Sequence, residues 1–430
     1  MEPGAEDKEA GWVLACRAVP RTPVTLEVGQ WDASILAGDT PVALVPRPGR
    51  AIAIDLGTTT LVAQLIDLMT GAVIGVRTAL NPQAMHGADV MTRIQYALDA
   101  SGLERQRELI RSELARMCSE LAGEGAVESV MIAGNTPMMH LFAGYGVRPL
   151  ASAPFHAAHE GLQTFHDERF PAPVRFLPYL GGFVGSDILA GVIATGMDVA
   201  DELTVLIDLG TNGEIVAGTR ERMVCASTAA GPAFEGGRIS CGMRAATGAI
   251  SEVDGSFRCR VIGGGAARGI CGSGLVDAVA AGLNSGRIRH TGRMPEPLPL
   301  RDGLSLTQSD VREVQLAKAA IAAGTRMLLR RLGAGMSDVR RVFLAGAFGN
   351  YINRTSARAI GLLEFPEELI EPSGNTALLG VKMAALQDRD LSFAELLKRI
   401  EHVPLGLGGE FQDEYVDCMA FPSIPYFGTS

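Results

Sequence analysis

Cysteine is scarce in this chain and never paired. Seven cysteines, an odd number, are scattered at Cys16, Cys118, Cys225, Cys241, Cys259, Cys271 and Cys418, with no CxxC among them. That pattern argues against a disulfide framework and against an iron-sulfur or zinc site built from this chain alone, and it fits reduced thiols in a cytoplasmic protein. A positive excess is also missing. The formal net charge is −10, the wrong sign for a protein that grips a phosphate backbone, so no nucleic-acid partner is expected. Long uninterrupted apolar runs are absent too. The most apolar stretch, LGGFVGSDILAGVIATGM from Leu180, is broken by Asp187 and by glycines, and reads as a buried helix and not a membrane span. The opening MEPGAEDKEAGW is acidic and lacks the basic-then-apolar pattern of a signal peptide.

What is present is an ordinary globular composition, 47% hydrophobic and 20% charged over 430 residues, enough for two or three domains. Within it one short phrase occurs twice. IAIDLGTTT surrounds Asp55 and LIDLGTNGE surrounds Asp208. In each, an apolar run that reads as a buried strand ends in Asp, one residue, Gly, and then hydroxyl or amide side chains. A strand ending in an acid and a tight glycine turn places backbone N–H groups where an anion docks, with a carboxylate beside it for a cation. A single Asp-x-Gly-Thr is also what a simple hairpin turn looks like; the duplication favours a phosphate held between two similar lobes.

The order of elements repeats as well. Residues 1–49 are proline-punctuated, with strand patterns at 24–28 and 41–45, and form an N-terminal appendage ending near Pro46. Strands at 51–54, 61–67 and 73–78 form a meander, followed by helical periodicity at 89–97 and 103–121, a strand at 129–133, the turn Gly134-Asn135-Thr136 and a helix at 137–143. After Asp201 come strands at 204–208, 214–218 and 222–227, helices at 271–283 and 309–332, a strand at 341–345 and a turn at 346–350. The helix at 309–332 is capped by Thr307 or Ser309, starts with Asp310 and Glu313 and ends with Arg326, Arg330 and Arg331, so its charges oppose the helix dipole.

Five segments in order, the loop at Asp55, the strand-turn from Ala133 to His140, the loop at Asp208, VFLAGAFGN from Val342 and GNTALLGVKMAAL from Gly374, resemble the phosphate, connecting and adenosine motifs of the actin, sugar kinase and heat-shock 70 ATPase superfamily. The resemblance implies an α/β chain of two ribonuclease-H-like lobes, an actin-like ATPase fold with a nucleotide cleft between them. The lobes would be residues 50–201 and 202–373, with 374–430 a C-terminal helix and tail returning to the first lobe.

A narrower match runs from Ala51 to about Pro422. NPQAMHGADVMTRI, AGNTPMMH, GGFVGSDILAG, STAAGPAFEGGRISCGMRAATGAI, GICGSGLVDAV and LAGAFGNYIN resemble the ATPase domain of reductive activators of corrinoid proteins, which use ATP to drive a cob(II)amide methyl carrier back to the cob(I) state. Members of that family carry a ferredoxin module. Here GWVLACRAVP from Gly11 resembles only the end of such a module, with Cys16 in the place of its last cluster ligand. The expectation is therefore ATP and Mg2+ but no iron-sulfur cluster, a corrinoid protein as partner, and a separate protein as electron donor. The oligomeric state is left open, a homodimer included.

In this reading Asp55 and Asp208 hold Mg2+ mostly through water. Gly57, Thr58, Thr59 and Thr60 bind one phosphate, and Gly210, Thr211, Asn212 and Gly213 another. Glu214 and Glu235 compete for the role of water-positioning base. Gly346, Ala347, Phe348 and Gly349 pass under the adenosine. Gly231 joins the nucleotide set, and Gly272, Ser273 and Gly274 either donate N–H groups to ribose or phosphate or simply pack a helix. Ser240, ahead of Cys241, is the candidate to face the partner's cobalt, the other option being a buried turn. Two other functions share the lobes: a small-molecule kinase, with a carboxylate aimed at a substrate hydroxyl, and a nucleotide-gated binding protein without turnover.

Overall fold

The computed structural model describes residues 44–153, 155–157, 159, 161–210, 212–387, 392–407 and 409–423. The strand patterns at 24–28 and most of 41–45, together with Cys16 and Thr211, lie outside the described residues.

The first lobe is a six-stranded sheet. β1 (Arg50–Leu56), β2 (Thr60–Asp67) and β3 (Val73–Leu80) form the antiparallel meander. Helices α1 (Val90–Tyr96) and α2 (Ala100–Ala122) follow, each with an aspartate cap, Asp89 and Asp99, accepting from the backbone of its first turn. β4 (Ser129–Gly134) then runs parallel to β1, and α3 (Thr136–Ala143), β5 (Gln163–Phe165), β6 (Val174–Phe176) and α4 (Ser186–Thr195) complete the lobe. The sheet order is β3-β2-β1-β4-β6-β5.

The second lobe repeats the plan. β7 (Thr204–Leu209), β8 (Gly213–Gly218) and β9 (Met223–Thr228) form its meander. An insertion of short strands, β10 (Ala249–Val253), β11 (Cys259–Val261) and β12 (Gly269–Ile270), precedes α5 (Gly272–Asn284), the ribbon β13 (Leu298–Pro299) and β14 (Ser305–Leu306), and the long α6 (Gln308–Arg331). β15 (Arg341–Ala345) runs parallel to β7, followed by α7 (Gly346–Tyr351), α8 (Arg354–Ala359), β16 (Ile370–Gly374), α9 (Thr376–Gln387), α10 (Ser392–Lys398), β17 (Ile400–His402) and α11 (Gly409–Asp417). The order β16-β15-β7-β8-β9-β17 matches the first sheet strand for strand through its meander and two parallel additions. The register repeats too: Asp55 lies opposite Ala133, and Asp208 opposite Ala345.

Three features differ from the expectation. Of the apolar stretch from Leu180 only Ser186–Thr195 is helical, because the preceding glycines carry a loop packed against β4. The turn expected at 346–350 is the start of α7. The C-terminal helix returns to the first lobe as expected, and the tail after it does not. α9 packs there, against β1 and β4, but β17 pairs with β9, and Phe411, Tyr415 and Cys418 of the last helical segment pack on Ala319, Ala322 and Ala323 of α6. Those alanines make a flat stripe on α6 that an aromatic face covers.

Each lobe has its own apolar core, and a third core lies between the two sheets, built on α4 and α9. These two helices follow equivalent strands and cross closely. A side-chain carbon on Gly380 would sit 1.9 Å from Ala190 O and 2.6 Å from Ala190 Cα. Among the described residues no helix is long and apolar enough to cross a membrane.

Gly380→Ala tests this crossing. Alanine gains about 1 kcal/mol over glycine in a helix interior, but the clash is with backbone that cannot swing aside, and overpacking of this kind costs about 1–3 kcal/mol. The melting temperature of the variant is expected to fall by a few degrees; a rise would show that the two helices have room to spare.

Candidate functional site

The two loops meet in the cleft, and what they bring together is negative charge. Asp55 ends β1 and Asp208 ends β7, each at the edge where a parallel neighbour also stops. Asp187 enters from the start of α4 and Glu214 from β8, directly across the ladder from Asp208. Burial raises the Asp55 carboxyl to about 6, partly offset by Asn375 Nδ2 donating to its Oδ2 at 2.8 Å. Asp208 is raised to about 6 by burial and by the charge of Asp55. Asp187 rises to about 7 through burial and then the charges of Asp208 and Asp55. Glu214 is pushed well above the usual range by burial and by Asp187 and Asp208, although Ser227 and Asn212 hydrogen bond to it. The charges that raise Asp187, Asp208 and Glu214 are those of neighbouring carboxylates.

The loop carbonyls are tied back into the first lobe. Asn81 Nδ2 donates to Gly57 O at 2.9 Å and Arg93 Nη2 to Thr58 O at 2.6 Å. In a planar trans peptide the N–H points opposite the carbonyl, so the Thr58 and Thr59 N–H groups face away from that scaffold. Asn135 Nδ2 donates to Thr58 Oγ1 at 3.0 Å and orients the hydroxyl. Ser186 Oγ pairs with both N and O of Gly134 at 3.0 Å, which pins the α4 start and places Asp187 beside it. In the second loop Gly210 N donates to Asn212 O at 3.0 Å. Gly213 has no room for a side chain, since a carbon there would meet Ile321 Cδ1 of α6 at 1.8 Å.

Of the other expected site residues, Gly346 belongs to the cluster. It takes φ +84, and an added carbon would stand 2.8 Å from Asp208 Oδ1, so only glycine fits there. Ala347 and Gly349 lie in α7 behind it. Phe348 stacks on Phe234, ring centroids 5.0 Å apart and planes within 10°, which ties α7 to the Gly231–Glu235 turn. Gly231 opens that turn at φ +78 with nothing within 4 Å of an added carbon. Glu235 is exposed and stands outside the carboxylate cluster that holds Glu214. Gly272, Ser273 and Gly274 are buried; Ser273 Oγ donates to Ser251 O at 2.8 Å, and carbons on the glycines would strike Phe234 O at 2.0 Å and Ile250 O at 2.3 Å. These approaches account for the two glycines and engage the Ser273 hydroxyl inside the lobe, while the N–H groups of the helix start are a separate matter. Ser240 is exposed, its N and Oγ donating to Asp310 Oδ1 and Oδ2 at 2.7 and 2.6 Å. Asp310 also closes the Thr307 capping box of α6, so one helix holds Ser240 at its start and packs against Gly213 three turns later.

Four residues were not singled out by the sequence reading: Asp187, Asn375, Arg93 and Asn135. The signal was present for two of them, because Gly-Ser-Asp before α4 and Gly-Asn-Thr before α9 are the same joint in the two lobes.

Magnesium fits this donor set only indirectly. Among the described residues no three His, Cys, Asp or Glu side chains converge closely enough to cage an ion, whereas four buried carboxylates that raise one another favour positive charge among them. That combination suits a hard cation that keeps several waters and binds substrate oxygens.

Two family models divide the chain at the same joint as the lobes. One described as the RACo middle region matches residues 50–200, and one described as the C-terminal domain of RACo, the ASKHA domain, matches 202–427. The chain belongs to the RACo family. ASKHA denotes the actin-like ATPase fold, and that is the fold of this RACo-family chain. It is 33% identical over 433 residues to a corrinoid activation enzyme, RamQ, of Eubacterium limosum, covering 89% of this chain and 73% of that protein. It is 29% identical over 410 residues to a [Co(II) methylated amine-specific corrinoid protein] reductase of Methanosarcina barkeri, covering 85% and 76%. A solved structure of a reductive activator for corrinoid, iron-sulfur protein superposes with TM-score 0.74 at 32% identity, covering 88% of this chain and 67% of that one.

The raised carboxylates set a pH dependence. Asp55, Asp187 and Asp208 have folded values of about 6 to 7 against 3.8 for a free aspartate, so the folded state binds more protons than the unfolded one. Their contribution to stability is full below about pH 4 and is lost as pH rises through 6 to 7. Melting of the metal-free, nucleotide-free protein is expected to shift downward between pH 5 and 7.5, with a shallower slope in Asp187→Asn. Equal slopes in the two proteins would contradict the placement of Asp187.

Proposed function

We propose that this chain is an ATP-dependent activator of a corrinoid methyl-carrier protein. Mg-ATP binds between the lobes, lobe closure reshapes the surface offered to the partner, and one electron takes the partner's cobalt from Co(II) to Co(I). The observation that carries the reading is the group of four uncompensated carboxylates at the mouths of two glycine loops from opposite lobes. Family membership and the names of the relatives point the same way.

Asp55 and Asp208 would hold Mg2+, which would neutralise phosphate charge there. Thr58, Thr59 and Asn212 bind phosphate oxygens, and Arg93, buried behind the first loop, adds a fixed positive charge on the far side of it. Asp187 is the residue placed to orient the attacking water. Its Oδ1 accepts from Ile188 N at 2.9 Å at the start of α4, whereas Glu214 is engaged by Ser227 at 3.3 Å. The water oxygen bonds to the γ-phosphorus, the bond to ADP breaks, and Asp187 takes the water's proton. Ser240 faces the partner. The electron comes from a carrier outside these residues, because the cysteines described are free and stand apart.

The placement of Asp187 also supports a small-molecule kinase, in which the same carboxylate would take the proton of a substrate hydroxyl. A kinase consumes ATP rapidly with a small substrate and no partner; an activator shows slow hydrolysis that a corrinoid protein changes.

The test combines the chain with corrinoid proteins, Mg-ATP and a low-potential reductant and follows the cobalt spectrum. ATP-dependent formation of Co(I) is expected, lost in Asp55→Ala and Asp208→Ala. Asp187→Asn is expected to lower ATP turnover about 100-fold or more while Mg-ATP still binds, and Glu235→Gln to act like the parent. Sugar-dependent ATP consumption with no effect on cobalt would favour the kinase.

A further inference from the structure

We propose that the face of the second lobe around the first turn of α6 is an electrostatic docking surface for an acidic patch on the partner protein. The identity of that partner as a corrinoid protein rests on the function proposed above. The surface itself follows from the charge pattern and from how two loops are fixed to one helix turn.

Between positions 238 and 301 the chain has nine arginines, no lysine and four acidic residues, a surplus of five positive charges in a protein of formal charge −10. Some of these arginines are consumed locally. Arg258 pairs with Asp254 and Arg260 with Glu252, each at 2.7 Å, and Arg287 lies over the Phe257 ring at 4.7 Å. Arg238, Arg244, Arg289 and Arg293 form no ion pair among the described residues, and each is exposed.

Hydrogen bonds bring the two loops together. Arg289 N donates to Arg293 O at 2.9 Å and closes a turn. Gln308, the first residue of α6, clamps that turn: its Nε2 donates to Gly292 O and its Oε1 accepts from Met294 N, both at 2.8 Å. Two residues on, Asp310 holds Ser240. Arg238 therefore stands close to the same helix turn, at φ +61, a left-handed conformation that an arginine adopts only when its neighbours fix it. Arg293 and Arg312 line one open cavity of about 520 Å³ with Thr291 and Ser309.

The acid at the centre of this face is spent on its own loops. Asp310 is buried, and its oxygens are occupied by Ser240 and by Thr307 N and Oγ1 at 2.7 and 2.8 Å. Glu313 on α6 and Glu235 on the adjoining turn flank it. The arginines are spread over two loops and a helix, wider than one phosphate group. The negative charge of the rest of the chain opposes a long polyanion such as nucleic acid. A local acidic patch on a folded protein satisfies both conditions, and it would seat against exposed Ser240.

The experiment uses the full chain and a corrinoid protein whose cobalt reduction the parent chain accelerates, with affinity measured in 50 mM and 500 mM salt. Arg289→Glu/Arg293→Glu and, separately, Arg238→Glu are compared with Arg105→Glu, an exposed arginine on α2 of the first lobe, and Mg-ATP affinity without partner reports on folding. The double reversal is expected to weaken the complex about tenfold or more in low salt, with most of the difference gone in high salt as screening shortens to about 4 Å. Mg-ATP affinity is expected to stay unchanged, and Arg105→Glu to bind like the parent. If the parent accelerates cobalt reduction and the reversals bind as tightly as it does, the docking surface is wrong while the function stands. If the parent accelerates no corrinoid protein, the function fails, and the docking proposal with it.

Discussion

Four buried carboxylates share one cleft, and most of what is particular about this chain follows from that. Burying like charges together is unfavourable unless protons or a counter-ion intervene. The protein accepts the cost because Asp55 and Asp208 are carried on the ends of the same strand in two repeats of one lobe. Bringing the lobes together necessarily brings the acids together. The glycines around them, Gly57, Gly185 and Gly346, are places where an added carbon would stand 2.8 Å or less from backbone or from a cleft carboxylate. The backbone is thereby pressed close to the charges it must help a ligand to balance.

The same duplication explains how a change in the cleft reaches the surface. α4 and α9 follow equivalent strands, cross at Gly380, and each carries a polar cleft residue at its start: Asp187 on α4, and Asn375 just ahead of α9, bonded to Asp55. These two helices form the packed crossing through which the lobes touch. In the second lobe, α6 runs from the nucleotide loop, where Ile321 packs on Gly213, to the exposed Ser240 held by Asp310. The second loop and the arginine-rich face thus both rest on one helix.

Much of the fold could be read from the sequence because a repeated phrase fixes its own alignment: once Asp55 and Asp208 are equated, the meanders, β4 and β15 fall into register. The cleft acids Asp55, Asp208 and Glu214 were legible for the same reason. Asp187 was not, because a lone acid in an apolar stretch reads as an interruption, and only the packing of Ser186 against Gly134 shows where it points. Gly272, Ser273 and Gly274 resemble an anion-binding helix start, and the close approach of Phe234 O and Ile250 O is a second reason for the glycines that sequence does not reveal. The tail was misplaced for a related reason: its contacts depend on an alanine stripe on α6 whose partner lies about 90 residues away in the chain, a distance over which periodicity carries no information.

The central claim is that the cleft carries uncompensated carboxylates, part of them protonated near neutral pH, until Mg-nucleotide supplies positive charge. The direct measurement is titration calorimetry of Mg-ATP binding at pH 6.5 in buffers of different ionisation enthalpy, which counts protons exchanged on binding. With Asp55 and Asp208 at about 6 and Asp187 at about 7 in the free protein, the account predicts net proton release, reduced in Asp187→Asn. Binding that takes up protons, or that exchanges none in either protein, would contradict it.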